Sequence, residues 1–210
     1  MDFNYSQKRL DAMKHIIISA VLVMLSSFAN ANIVQNGSFE QNSQANYTWD
    51  VYSDNSVSGW NILSGAGIEI RNNVEGTASN GVNYVELDSF NNTVITQSVT
   101  TSAGVLYELL FDYSPRVNQP ANTNGISVFW NGTLLADITG TGGVSNLWVT
   151  QHFFLTGTGN DVLQFTATGM DDGYGGNIDY VQLNEVPLPA AAWLFGSALV
   201  MFGFARRSTV

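Results

Sequence analysis

An all-β sandwich is the fold class that this 210-residue sequence predicts. Three observations carry it. Apolar and polar residues alternate in run after run from residue 82 onward, turn residues bound each run at short spacing, and no helical period lies between the runs. Together these indicate two antiparallel layers closing on one core.

The chain opens with "KHIIISAVLVMLSSFANA", in which Lys14 and His15 precede an apolar run at 16–25 and small residues stand at Ala29 and Ala31. Charged region, apolar region and A-x-A site together predict a secretory signal over 1–31, cleaved after Ala31, with Met13 an alternative start. Residues 41–59 are polar and irregular, and Trp49 and Trp60 mark where short strands or loops join the sandwich. The strand runs are then "NYVELD", "TVITQSVT", "VLYELLFDYS", "GISVFWNG", "LWVTQHFFLT", "DVLQFTAT" and "NIDYVQL". In the third, Val105, Tyr107, Leu109, Phe111 and Tyr113 share one face while Glu108 and Asp112 take the other. Asn131 and Gly132, between "ISVFW" and "TLLADI", predict a type I′ hairpin. After the last run, Pro187 and Pro189 interrupt any strand and bound a separate element over 186–210.

Between the two ends, residues 32–185 hold fifteen acidic residues against two basic ones, Arg71 and Arg116, a net charge of −13. Such a surface repels phosphate backbones and excludes nucleic acid as a partner. With no cysteine, an exported domain of this size relies on its core or on metal ions rather than disulfides, and thiol chemistry is excluded.

The end of the chain, "VPLPAAAWLFGSALVMFGFARRSTV", has twenty uncharged residues at 186–205 before Arg206 and Arg207. As a helix rising about 1.5 Å per residue they would reach about 30 Å, one hydrocarbon core. Proline motif, apolar helix and terminal arginines together resemble the PEP-CTERM sorting signal of Gram-negative bacteria that make extracellular polysaccharide. Val186, Pro187, Leu188 and Pro189 stand here in place of Pro-Glu-Pro. The resemblance implies export across the inner membrane, transient anchoring, processing by an exosortase, and delivery to the cell surface or matrix. Arg206 and Arg207 independently favour the cytoplasmic side.

The domain itself carries "NIVQNGSFEQ", "SGW", "NYVELDS", "TQSVTT", "YELLFDYS" and "GGNIDYVQL". These resemble galactose-binding-like jelly rolls, including carbohydrate-binding modules and DUF642 domains, and imply a jelly-roll β-sandwich that binds polysaccharide. Strand alternation places Asp179 on the face of Val181 and Leu183, where a lone carboxylate is costly unless paired or metal-bound. The resemblance implies a structural Ca²⁺ between the first and last strands, on Glu40 and Asp179, with Asn36 and Asp88 completing the shell of six to eight oxygens. The competing reading is that Asp179 caps a turn through backbone amides.

A sugar site needs aromatic platforms and hydrogen-bonding side chains. Tyr174, Tyr113, Arg116 and Tyr84 are the main candidates, with Trp49 behind them, while Trp60 and Trp130 are expected in the core. His152, the one histidine of 32–185, is expected on a sheet face. No nucleophile elbow, P-loop or H-E-x-x-H motif occurs, so the expected role is non-catalytic, that of a polysaccharide-binding surface or matrix protein. A structural or adhesive surface protein stabilised by calcium is the alternative, and a small glycan-active hydrolase comes third.

Overall fold

The computed structural model describes residues 32–187. Eleven strands run along them: β1 Thr48–Tyr52, β2 Asn61–Ser64, β3 Ile68–Asn72, β4 Asn83–Glu86, β5 Val94–Thr100, β6 Leu106–Ser114, β7 Ile126–Trp130, β8 Thr133–Ile138, β9 Val149–Thr156, β10 Asn160–Ala167 and β11 Asn177–Glu185. They form a six-stranded sheet in the order β1-β3-β4-β11-β6-β9 and a five-stranded sheet in the order β2-β5-β10-β7-β8. Neighbouring strands are antiparallel throughout. Ala31–Val186 is one compact unit. The all-β sandwich expected from the alternation, with the jelly roll that the resemblance implies, is therefore the fold. The signal segment, Leu188, Pro189, Arg206 and Arg207 lie outside the described residues.

Each expected run became a strand, and "IEIRN" forms one more, β3, with every residue buried. Its isoleucines face the sandwich core, while Glu69 and Arg71 point the other way and are covered by chain from elsewhere. At the hairpin, Asn131 and Gly132 take φ of 51° and 76°, and Trp130 pairs with Thr133, so the turn is the expected tight one.

Between the sheets the core is apolar and aromatic. Phe165 of β10 sits edge-on to Phe111 of β6 with ring centroids 5.0 Å apart, and contacts Trp60 at 6.0 Å. Trp60 and Trp130 are buried, as expected. Burying side chains of this size contributes about 1.5–3 kcal/mol each and supplies what disulfides do not.

Residues 32–37 lie along the last strand, β11. Ile33 N–H donates to the carbonyl of Leu183, Val181 N–H to that of Gly37, and Leu183 N–H to Asn32 Oδ1. A side chain at Gly37 would collide with the carbonyl of Val181, so this close approach requires glycine.

β11 departs from regular alternation. Its register with β6 shifts between Asp179 and Gln182, and Tyr180 takes a φ of 52°. This bulge gives one extra residue, so Val181 and Leu183 enter the core while Asp179 pairs with Asp112 on the outer face. The expectation that Asp179 shares a face with Val181 and Leu183 is thereby corrected.

Candidate functional site

Outside the six-stranded sheet lies a buried polar layer. Glu69 and Arg71 of β3, Glu86 of β4, Asp112 of β6 and Asp179 of β11 are all buried, although alternation turns them away from the core. Segment 73–82 covers much of this layer, and the loops that carry Arg116 and Gly175 close over Glu86. Tyr84 OH donates to the carbonyl of Val74, Trp148 Nε1 donates to that of Thr77 at 2.9 Å, and Ser79 Oγ donates to Asp112. A polar layer of this kind is tolerable only where its groups are paired.

Two arginines organise the end of that layer nearest β1. Arg71 Nη2 lies 2.6 Å from Glu69 and 2.8 Å from Glu86. Arg116 Nη1 meets both oxygens of Glu86 at 2.5 Å, and its Nη2 lies 2.7 Å from Glu75. Gly175 N–H adds a further bond to Glu86 at 2.8 Å. Burial pushes the Glu86 carboxyl up to about 7, against the pull of the guanidiniums of Arg71 and Arg116. Burial likewise raises Glu69, while charge pairing with Glu86 and Glu69 outweighs burial and raises Arg71.

The loops that bring these groups together are locally fixed. Arg116 follows β6 on a turn clamped by Asn124, whose Oδ1 accepts the Arg116 N–H at 2.9 Å and whose Nδ2 donates to the carbonyls of Pro120 and Gly140. Asn73 and Glu75 take φ of 53° and 54°, a conformation that costs a non-glycine residue about 1–2 kcal/mol. That bend returns the Glu75 carboxylate to the arginines. Tyr174 follows Gly173, whose φ is 76°, and its ring centroid lies 4.5 Å from the Arg116 guanidinium carbon.

These residues enclose an open cavity of about 310 Å³ lined by Trp49, Glu69, Arg71, Val74, Glu75, Ser89, Arg116, Gly173 and Tyr174. Trp49 is 47% exposed and Tyr174 41%, whereas Arg116 and Ser89 are 6% and 7% exposed. Arg116 Nε and Ser89 Oγ are buried and have no hydrogen-bond partner among the described residues.

Of the sugar candidates, the structure brings Tyr174 and Arg116 to this cavity, together with Trp49. It withdraws the other two. Tyr113 is in the core with its hydroxyl on the carbonyl of Asn124, and Tyr84 lies under the 73–82 segment with its ring edge-on to Trp148. Alternation in β6 carries Tyr113 inward, and the covering segment hides Tyr84. Glu69, Arg71, Glu75, Glu86 and Ser89 were not among the candidates. One sequence signal pointed at them: the two basic residues of an acidic domain both end in this cluster.

The four metal candidates do not form one shell. Glu40 and Asp179 are close enough for Glu40 to contribute to raising the Asp179 carboxyl, which burial pushes up to about 7. Both anchor the 73–82 segment. Glu40 Oε1 accepts Val82 and Asn83 N–H at 2.8 and 2.7 Å, and Asp179 Oδ2 accepts Ser79 and Asn80 N–H at 2.8 Å. The other Asp179 oxygen takes the Tyr180 N–H at 2.6 Å. Asn36 spends its carbonyl on Phe39 N–H and Trp60 Nε1. Asp88 lies beyond the opposite end of β4, where it accepts Asp172 N–H at 3.2 Å and supports the loop carrying Tyr174. Among the described residues no group of three or more acidic or histidine side chains is placed to hold a metal. Glu40 Oε1 and both Asp179 oxygens are thus engaged by backbone amides.

His152 is exposed on β9, with Nδ1 3.3 Å from Glu108, as expected of a sheet-face histidine.

No protein-family model matches the chain. Among curated proteins it is 29% identical over 154 residues to a multifunctional-autoprocessing repeats-in-toxin of Vibrio vulnificus, covering 71% of this chain and 3% of that protein. A Vibrio cholerae protein of the same description is 28% identical over 176 residues, covering 82% and 3%. The chain thus spans about 3% of the length of the curated relatives it matches. Among solved structures, an arabinose-bound MgGH51 α-L-arabinofuranosidase aligns with a TM-score of 0.52 at 14% identity, over 77% of this chain and 27% of that one. A family 35 carbohydrate binding module from Clostridium thermocellum aligns at 0.43 and 17% identity, over 65% and 97%. The module TmCBM61, in complex with β-1,4-galactotriose, aligns at 0.44 and 17%, over 74% and 99%. What the arabinofuranosidase likeness shows is the sandwich fold.

Proposed function

We propose that residues 32–185 are a non-catalytic polysaccharide-binding domain and that the cavity beside Arg116 is its binding site. One observation carries the reading. A cavity with two half-exposed aromatic rings is also walled by Arg116 and Ser89, whose Nε and Oγ are buried without protein partners among the described residues. Sugar rings offer apolar C–H faces rimmed by hydroxyl groups, which match that combination. The carboxylates Glu69 and Glu86 are tied to arginines, which suits them to holding the site's shape rather than to proton transfer. Affinity electrophoresis through gels containing neutral or acidic polysaccharides tests the reading: retardation that Trp49→Ala reduces supports it, and migration unchanged in every gel overturns it.

The terminal segments supply the setting of this proposal. The signal over 1–31 and the motif Val186, Pro187, Leu188 and Pro189, followed by apolar residues and Arg206 and Arg207, support export, brief membrane anchoring, exosortase processing and release to the cell surface or matrix. Intact mass and fractionation of the native protein test this. A chain that keeps residues 190–210 and stays with the inner membrane would overturn it.

A further inference from the structure

We infer that the cavity takes the terminal residue of a neutral glycan, an inference that rests on the binding role just proposed and adds charge class and mode of engagement. Volume sets the mode. About 310 Å³ is the lower end of small-ligand sites, enough for about one or two sugar rings and too little to lay a longer chain within.

Charge sets the class. Arg71 lies between Glu69 and Glu86, and Arg116 between Glu75 and Glu86, so the two guanidiniums face three carboxylates. No guanidinium is left to neutralise a carboxylate or sulfate on the ligand, and a domain carrying −13 repels an acidic polymer as it approaches. A neutral hydroxylated ring meets no such cost. Its hydroxyls both donate and accept: the half-exposed carboxylate of Glu75, 50% exposed, is an accessible acceptor, and Arg116 Nε is an unpartnered donor buried in the cavity wall. Ser89 Oγ serves either role. Trp49 and Tyr174, on different segments, supply the apolar surface for the ring.

The test is calorimetric titration of the full chain with methyl glycosides of glucose, galactose and mannose, with neutral oligosaccharides of these sugars from two to six residues, and with glucuronate and galacturonate. The expected result is binding of a neutral sugar, affinity that stops rising after about two residues, and no binding of the uronates. Glu75→Gln is expected to weaken neutral-sugar binding by about ten- to one-hundred-fold, the loss that follows removal of a hydrogen bond to a charged group. The melting midpoint is measured in parallel, and Ser89→Ala, a smaller change, is expected to weaken binding in the same direction. Affinity that climbs steadily to six residues overturns end-on recognition while leaving polysaccharide binding in place. Uronate binding that Glu75→Gln strengthens overturns the neutral class, because Glu75 would then be occupying the place of a ligand carboxylate. Absence of binding to every one of these sugars overturns this inference; only if migration is also unchanged in every polysaccharide gel does the proposed function fall with it.

Discussion

The two ends of the outer face of the six-stranded sheet differ although the same backbone pleat generates both. Over β3 and β4 the outward residues Glu69, Arg71 and Glu86 are buried and paired through two guanidiniums, with cover from residues 73–82 and from the loops that carry Arg116 and Gly175. Over β6 and β9 the outward residues Leu106, His152 and Phe154 stand in solvent, two of them apolar. Polarity therefore does not mark exposure on this face. Cover does, and the cover is held by carboxylates: Asp179 and Glu40 grip the amides of residues 79–83, and Asp112 takes the Ser79 hydroxyl.

The sharpest break of this contrast is Glu86→Ala. It leaves two buried guanidiniums without their shared carboxylate, and chemical denaturation should show a loss of about 3–5 kcal/mol. A loss below about 1 kcal/mol would mean that the cavity is wet and the cluster is not a structural element. Trp49→Ala comes next. Because Trp49 is half exposed, denaturation should register about 1 kcal/mol or less, while retardation by a bound polysaccharide falls about ten-fold or more. Equal losses in stability and binding would make Trp49 part of the packing instead.

Two other buried carboxylates give opposite pH slopes. At Asp161 burial opposes ionisation, yet hydrogen bonds from Thr101, Thr158 and Asn131 outweigh it and hold the carboxyl well below the usual range. The unfolded chain then binds the extra proton, so the stabilisation present above about pH 4 is lost as pH falls, and Asp161→Asn should flatten the acid limb. At Asp179 burial raises the carboxyl to about 7. Here the folded state holds the extra proton between about pH 4 and 7, so stability falls as pH rises through that window. Asp179→Asn should flatten this slope in part, since Glu86 contributes in the same direction. Calcium is expected to leave the midpoint where EDTA puts it. A rise that Asp179→Asn abolishes would restore a bound cation at the Glu40 and Asp179 pair. The smallest effect belongs to the open half: Phe154→Ser should change stability by less than about 0.5 kcal/mol and leave binding unaltered.

Much of this fold was legible because period-two alternation is a local property. The run at β6 announced Tyr107, Leu109 and Phe111 as core, and Asn131 with Gly132 announced the hairpin. The site was less legible, for three physical reasons. A single inserted residue at Tyr180 reversed the face of Asp179, and no composition rule locates a bulge. Tyr84 lies on the outward face of β4, and only the cover of residues 73–82 decides that it is buried. Glu69 and Arg71 have the pattern of a solvent-facing strand edge, and their burial is decided by residues 73–82 folding back. The scarcity of arginine was the one clue visible beforehand.

The seam between residues 32–37 and β11 also has a mechanical consequence. Force entering along the backbone at Val186 meets β11 inside a sheet, with β6 bonded along one side and residues 32–37 along much of the other. Pulled from that end, the domain must shear many hydrogen bonds at once instead of peeling them one by one. A tether attached there would load the sandwich along its stiffest direction while the cavity wall, pinned to the same strand through Asp179, keeps its shape.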